Sequence, residues 1–144
     1  MEFATPSFSL KLPPGGIDAS TYAWVYPELG GNNPARLSVS SSLPLEIPDL
    51  AQYLAEQRQL IEAAYDNFEM LETVENVRGS WNYVILKFSW GSEDLAQIQK
   101  EIHLFIDAEP LQFYRFISSA PTAAFTTAEP MFDQVLASFK PTAG

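Results

Sequence analysis

The chain has no cysteine and a single histidine in 144 residues. Without cysteine there can be no disulfide framework, no thiolate nucleophile and no zinc–thiolate site. Basic residues are scarce, eight against eighteen acidic ones, giving a net charge of −10 at pH 7 and a pI near 4.3. That balance opposes nucleic-acid phosphates and anionic lipid surfaces, so no nucleic-acid partner is expected. Nowhere does an apolar run approach the ~20 residues of a membrane span, so direct membrane insertion is not expected either. The opening MEFATPSFSLKLPPGG carries no basic n-region, no long apolar h-region and no lipidation cysteine, which points to a soluble, cytoplasmic protein. What the chain does have is 47% hydrophobic and 13% aromatic content, enough for one core and one domain spanning 1–144.

Phe8, Leu10 and Leu12 alternate with Ser9 and Lys11 before Pro13-Pro14-Gly15-Gly16, the pattern of a strand ended by a turn. Thr21 to Pro27 is rich in β-formers. Arg36 to Ser40 alternates Leu37 and Val39 with serines, and Gly30-Gly31-Asn32-Asn33-Pro34 lies between the two as a turn. Four longer strand candidates follow: Phe68 to Val77, Trp81 to Trp90, Leu95 to Ile106 and Leu111 to Ser118. Their short polar turns, among them Glu93-Asp94, predict an antiparallel meander. A helix is expected from Asp49 to Ala64, with Asp49 and Gln52 as a capping box. A second is expected from Thr127 to Phe139, with Pro130 in its first turn and Met131, Phe132, Val135, Leu136 and Phe139 on its apolar face. The resulting fold class is α+β: a curved antiparallel sheet of about six or seven strands with two helices packed on one face.

The apolar stripe of the first helix, Leu50, Tyr53, Leu54, Leu60, Ile61 and Ala64, is interrupted at its centre by Gln57. An amide there needs a polar partner, because leaving it unsatisfied costs about 1–3 kcal/mol. Two readings are open, a core glutamine bonded to a strand or a contact surface for another polypeptide. Several strands are apolar on both faces: Tyr22 and Trp24 oppose Ala23 and Val25, and Val84, Leu86 and Phe88 oppose Tyr83 and Ile85. Ile98, Ile102, Leu104 and Ile106 project one way from their strand, Gln97, Gln99, His103 and Phe105 the other. A face mixing aromatics and amides suits a dimer interface or a groove for an apolar client; a covering loop such as Ala120 to Thr127 explains it equally well.

Reactive chemistry is thinly represented. His103 and Glu101 share a strand face and form a possible acid–base pair, although a lone strand histidine is more often structural. Asp18, Asp49, Asp66 and Asp133 fall at turns or helix ends, where capping or solvent accounts for them. No metal site, cofactor site or nucleophile with its base is read, and the protein is not expected to be an enzyme.

The ordered segments FSLKLPPG, TYAWVYPE, LSVS, LAQYLAEQ, LKFSWGSEDLAQIQ and FDQVLASFKP resemble the DcrB-related family, and within it the chaperones associated with effectors of the bacterial type VI secretion system (Eag chaperones). The resemblance spans nearly the whole chain. It implies a PsbP-like fold and a homodimer. It also implies that the protein shields the N-terminal transmembrane segments of a secreted effector before loading on the secretion apparatus. Carried onto this sequence, the client-binding residues would be Tyr22, Trp24, Leu37, Val39, Gln57, Gln97 and Gln99. The alternative is a small-ligand-binding or enzymatic domain that uses the same groove as a pocket.

Overall fold

The computed structural model describes residues 2–4, 9–11, 21–26 and 34–141. Strands β1 (Glu2–Ala4) and β2 (Ser9–Lys11) pair as a separate antiparallel ribbon. The main sheet holds β3 (Thr21–Tyr26), β4 (Ala35–Ser42), β5 (Glu69–Arg78), β6 (Trp81–Trp90), β7 (Gln97–Ile106) and β8 (Gln112–Pro121) in the spatial order β3-β4-β8-β7-β6-β5. All neighbours are antiparallel. Helix α1 (Leu50–Ala64) links β4 to β5, and α2 (Thr122–Ala137) follows β8.

The meander β5–β8 forms where the alternation and the short turns predict it. Gly79, at φ +58°, takes the first central position of the two-residue β5–β6 hairpin, where a left-handed backbone is needed. At the end of β6, Gly91 has φ +82°, and a Cβ there would sit 2.6 Å from the Leu95 carbonyl oxygen. Glu93-Asp94 belongs to a single 3₁₀ turn, Glu93–Leu95, so β7 begins at Gln97 rather than Leu95. The turns expected at Pro13–Gly16 and Gly30–Asn33, together with Phe8, Leu12, Asp18 and Pro27, lie outside the described residues.

The α+β class, the antiparallel sheet and the two helices are as expected, but the helices do not share a face. Register settles this. Val84, Leu86 and Phe88 of β6 lie beside His103, Glu101 and Gln99 of β7, and α1 packs on this side: Leu50, Leu54 and Ile61 reach the Val84–Leu86–Phe88 cluster, and Tyr53 reaches His103. Helix α2 lies on the other side, with Phe125, Ala128 and Phe132 buried against Ala35, Leu37 and Ala120. Its residues Glu129 and Asp133 pair with Lys100 of β7. Both faces of the central strands are too apolar to leave wet, so each draws its own helix.

Asp49 caps α1, its carboxylate accepting from the Gln52 N–H at 3.0 Å. The box is not reciprocal, because the Gln52 amide donates forward to Glu56 instead. Helix α2 begins at Thr122, five residues before the expected Thr127, and Pro130 lies in its interior. Burial of Phe125 and Ala128 in the first two turns outweighs the hydrogen bond that proline removes. The segment 120–127, read as loop, is therefore mostly helix.

Candidate functional site

Helix α1 covers only half of its sheet face. Its packing partners are β5, β6 and the near side of β7, and among the described residues no element packs over β8, β4 and β3 on this side. The floor of the resulting trough is set by register. Gln99, Ser119, Arg36 and Val25 form one lateral row; Glu101, Ile117, Ser38 and Ala23 the next; His103, Arg115, Ser40 and Thr21 a third. On β3, β4 and β8 six of these nine side chains, Thr21, Ala23, Val25, Ser38, Ser40 and Ser119, are short, so the backbone there lies close to the surface. Val25 at the outer edge is 48% exposed.

The trough wall is one flank of α1. At about 100° per residue, Tyr53, Gln57, Leu60 and Ala64 share a flank, offset from Leu50, Leu54 and Ile61. Tyr53 reaches β7 while the offset group reaches β6, so this flank looks toward β8 and the open half of the sheet. Leu60 is 63% exposed, Ala64 is exposed and Gln57 is half-buried. The predicted stripe is thus wider than the helix's seat on the sheet: Leu60 and Ala64 are not in the core.

Beneath the junction of wall and floor lies a buried polar cluster. Glu101 and His103 have 0% and 1% exposure. Arg115 donates to Glu101 Oε1 from Nη2 at 2.8 Å and from Nε at 3.3 Å, and Gln99 Nε2 donates to Glu101 Oε2 at 2.8 Å. Burial alone would raise the Glu101 carboxyl, but the hydrogen bonds from His103 and Arg115 and the Arg115 charge outweigh it and hold it below its usual range. An ionised carboxylate only accepts, so His103 Nε2–H donates to Glu101 at 2.9 Å and Nδ1 accepts from the Tyr53 hydroxyl. Burial pushes the Tyr53 hydroxyl up to about 12, against a smaller lowering by Arg115. The possible acid–base pair is therefore locked inside the domain, clamping α1 to the sheet. Arg115, with its side chain 39% exposed, is the member that reaches the trough.

The residues carried over from the resemblance divide between the two faces. Tyr22, Trp24, Leu37 and Val39 lie on the α2 side, with Leu37 buried under α2 and Val39 packed against the Leu104–Phe116 cluster. Trp24 is 47% exposed at the sheet edge. Gln57, Gln97 and Gln99 lie on the α1 side. Gln97 is half-buried opposite Trp90, whose indole N–H is buried with no acceptor among the described residues. Gln99 is buried and donates to Glu101 and, at 3.3 Å, to Tyr65. The trough residues that the sequence reading missed, Ala23, Val25, Ser38, Ser40, Ile117 and Arg115, share the face of Gln99. Alternation from Gln99 through the register of β8, β4 and β3 identifies them; alternation within single strands does not.

Among the described residues no group of three or more His, Asp or Glu side chains is placed to hold a metal ion, and no helix is long and apolar enough to cross a membrane. No family model and no curated protein matches the sequence. The fold has relatives among solved structures. PA94 of Pseudomonas aeruginosa, a protein of unknown function, is similar over 100% of this chain and 98% of its own, at 18% identity and TM-score 0.72. LpqN of Mycobacterium tuberculosis, involved in cell envelope biogenesis, is similar over 83% of this chain and 82% of its own, at 12% identity and TM-score 0.60. Cyanobacterial PsbP from Synechocystis sp. PCC 6803 is similar over 92% of this chain and 98% of its own, at 15% identity and TM-score 0.53. The chain has a PsbP-like α+β fold.

Proposed function

We propose that this protein is a cytoplasmic chaperone that holds an apolar, helix-forming segment of another polypeptide in the trough beside α1. The client implied by the sequence resemblance is the N-terminal transmembrane region of a type VI secretion effector. The observation that carries the reading is the apolar flank of α1, Leu60 and Ala64 flanking Gln57, facing a half-sheet that no other described element covers, floored by Ala23, Val25, Ser38, Ser40 and Ile117 with Arg36 and Arg115 among them. Small floor residues let a client helix approach closely, as small residues do between helices in a membrane. Gln57 and the free N–H groups of Arg115 offer donors to carbonyl oxygens that such a helix exposes at small residues. An apolar span needs a protein surface in place of lipid until delivery, because water leaves it prone to aggregate. Trp24, on the opposite side of β3, extends apolar contact around the sheet edge, and a second copy of the chain would complete the enclosure.

The test is co-expression with a fragment carrying an effector's N-terminal transmembrane helices, read by pull-down and light scattering. A soluble complex containing two copies of this chain supports the proposal. A fragment that stays insoluble with and without the protein, across several effectors, argues against it. Gln57→Leu should leave the fold intact and weaken the complex; a loss of several degrees in Tm with unchanged binding would instead make Gln57 structural.

A further inference from the structure

On the opposite side of the sheet, α2 leaves a second recess. It is a groove of about 150 Å³ between the end of α2 and strands β5–β8, walled by Trp81, Ile85, Leu104, Phe116 and Phe139, with Arg78 as the only charged lining residue among the described residues. Leu104 and Phe116 are buried at its base, while Trp81, Ile85 and Phe139 are half-buried at its walls. Tyr83, also in the lining, has its hydroxyl bonded by the Asn76 amide, so the polar atom of that wall is already satisfied. Arg78, at the end of β5, is exposed and makes no ion pair among the described residues. Lys87, Lys100 and Arg115 each have a carboxylate partner; of the described basic residues without one, Arg78 is the one that lines the groove.

We infer that this groove binds a single-chain amphiphilic anion, a medium-chain fatty acid, with the alkyl chain along the aromatic wall and the carboxylate on Arg78. The apolar lining matches the chain. A guanidinium with no partner of its own presents a planar fork of donors that fits a carboxylate with two hydrogen bonds. The net charge of −10 disfavours docking on an anionic bilayer, so the amphiphile is taken up as a monomer rather than in a membrane. The site lies across the sheet from the α1 trough and stands or falls independently of the chaperone reading.

The experiment is an NMR titration of the ¹⁵N-labelled full chain with decanoate below its micellar range, alongside decanol. Decanoate should shift the Trp81 indole N–H and the amides of Ile85, Leu136 and Phe139 saturably, and bind more tightly than decanol. Arg78→Ala should weaken decanoate about tenfold, the worth of one charge-assisted contact, and leave decanol unchanged. Leu136→Trp, at the half-buried rim, should fill the groove and remove both; Ile85→Trp repeats this from the sheet side. Equal affinity for the two ligands, an Arg78→Ala variant that holds decanoate as well as the wild type, or shifts confined to the α1 trough would each overturn the assignment. So would a dimer that closes the groove, seen as decanoate binding that vanishes as protein concentration rises.

Discussion

The two faces of the sheet hold their helices by different physics. On the α2 side the seat is apolar: Phe125, Ala128 and Phe132 sink between Ala35, Leu37 and Ala120. Ion pairs of Lys87 and Lys100 with Glu129 and Asp133 lie around the rim at 3.1 to 3.5 Å. On the α1 side a buried carboxylate, imidazole and amide lie under the helix, tied to Tyr53 and Arg115. Apolar burial is non-directional and spreads along the helix. A polar cluster fixes one geometry, because every donor and acceptor must be matched in a low-dielectric interior. The α1 seat can therefore be narrow, anchored at Tyr53, Ile61 and Tyr65. That frees the flank of Gln57, Leu60 and Ala64 to face the trough.

The contrast is broken most severely at Glu101. Glu101→Ala leaves His103, Gln99 and Arg115 without their common acceptor and should cost about 3–5 kcal/mol in urea unfolding. On the other face Phe132→Ala should cost a comparable amount, about 3–5 kcal/mol, by opening a cavity. Only the first should also change the pH dependence.

Glu101 is held below its ordinary range when folded, so its contribution is present above the unfolded carboxyl pKa of 4.5 and is lost as pH falls through the folded value. Tyr53 is raised from 10.0 to about 12, so its contribution is complete below pH 10 and is lost as pH rises toward 12. In pH-dependent thermal melts, Glu101→Gln should flatten the acid limb and Tyr53→Phe the alkaline one. Phe132→Ala should lower the whole curve without reshaping it.

Smaller effects sharpen the comparison. Lys100→Met removes rim ion pairs on the α2 side and should cost no more than about 1 kcal/mol, an effect that shrinks at high salt. Smallest for stability is Leu60→Ser, within about 0.5 kcal/mol because the side chain is exposed, yet it should weaken client capture in the pull-down.

Much of the fold was legible along the chain. The turns at Gly79 and Gly91 and the alternation of Val84, Leu86 and Phe88 against Tyr83 and Ile85 define the meander from local chemistry. Asp49 marks the start of α1 for the same reason. The start of α2 was hidden, because Pro130 signals a first turn locally while the burial that carries the helix past it is tertiary. The placement of the helices was hidden too, since it depends on which strand faces share a side across six strands. The same gap split the site. Gln57 stood out by its place in an apolar stripe, but Tyr22 and Trp24 were grouped with it although the register of β3 through β8 puts Ala23 and Val25 on that side. Arg115 was invisible because its partner Glu101 is joined to it only by cross-strand register.

The most direct test of the trough is hydrogen exchange on the protein alone and in complex with a co-expressed transmembrane fragment. Added protection is expected in β3, in β4 at Ser38 and Ser40, and along α1 from Gln57 to Ala64, with the α2 side unchanged. Protection confined to α2 and the groove at Trp81, or none on complex formation, would contradict it.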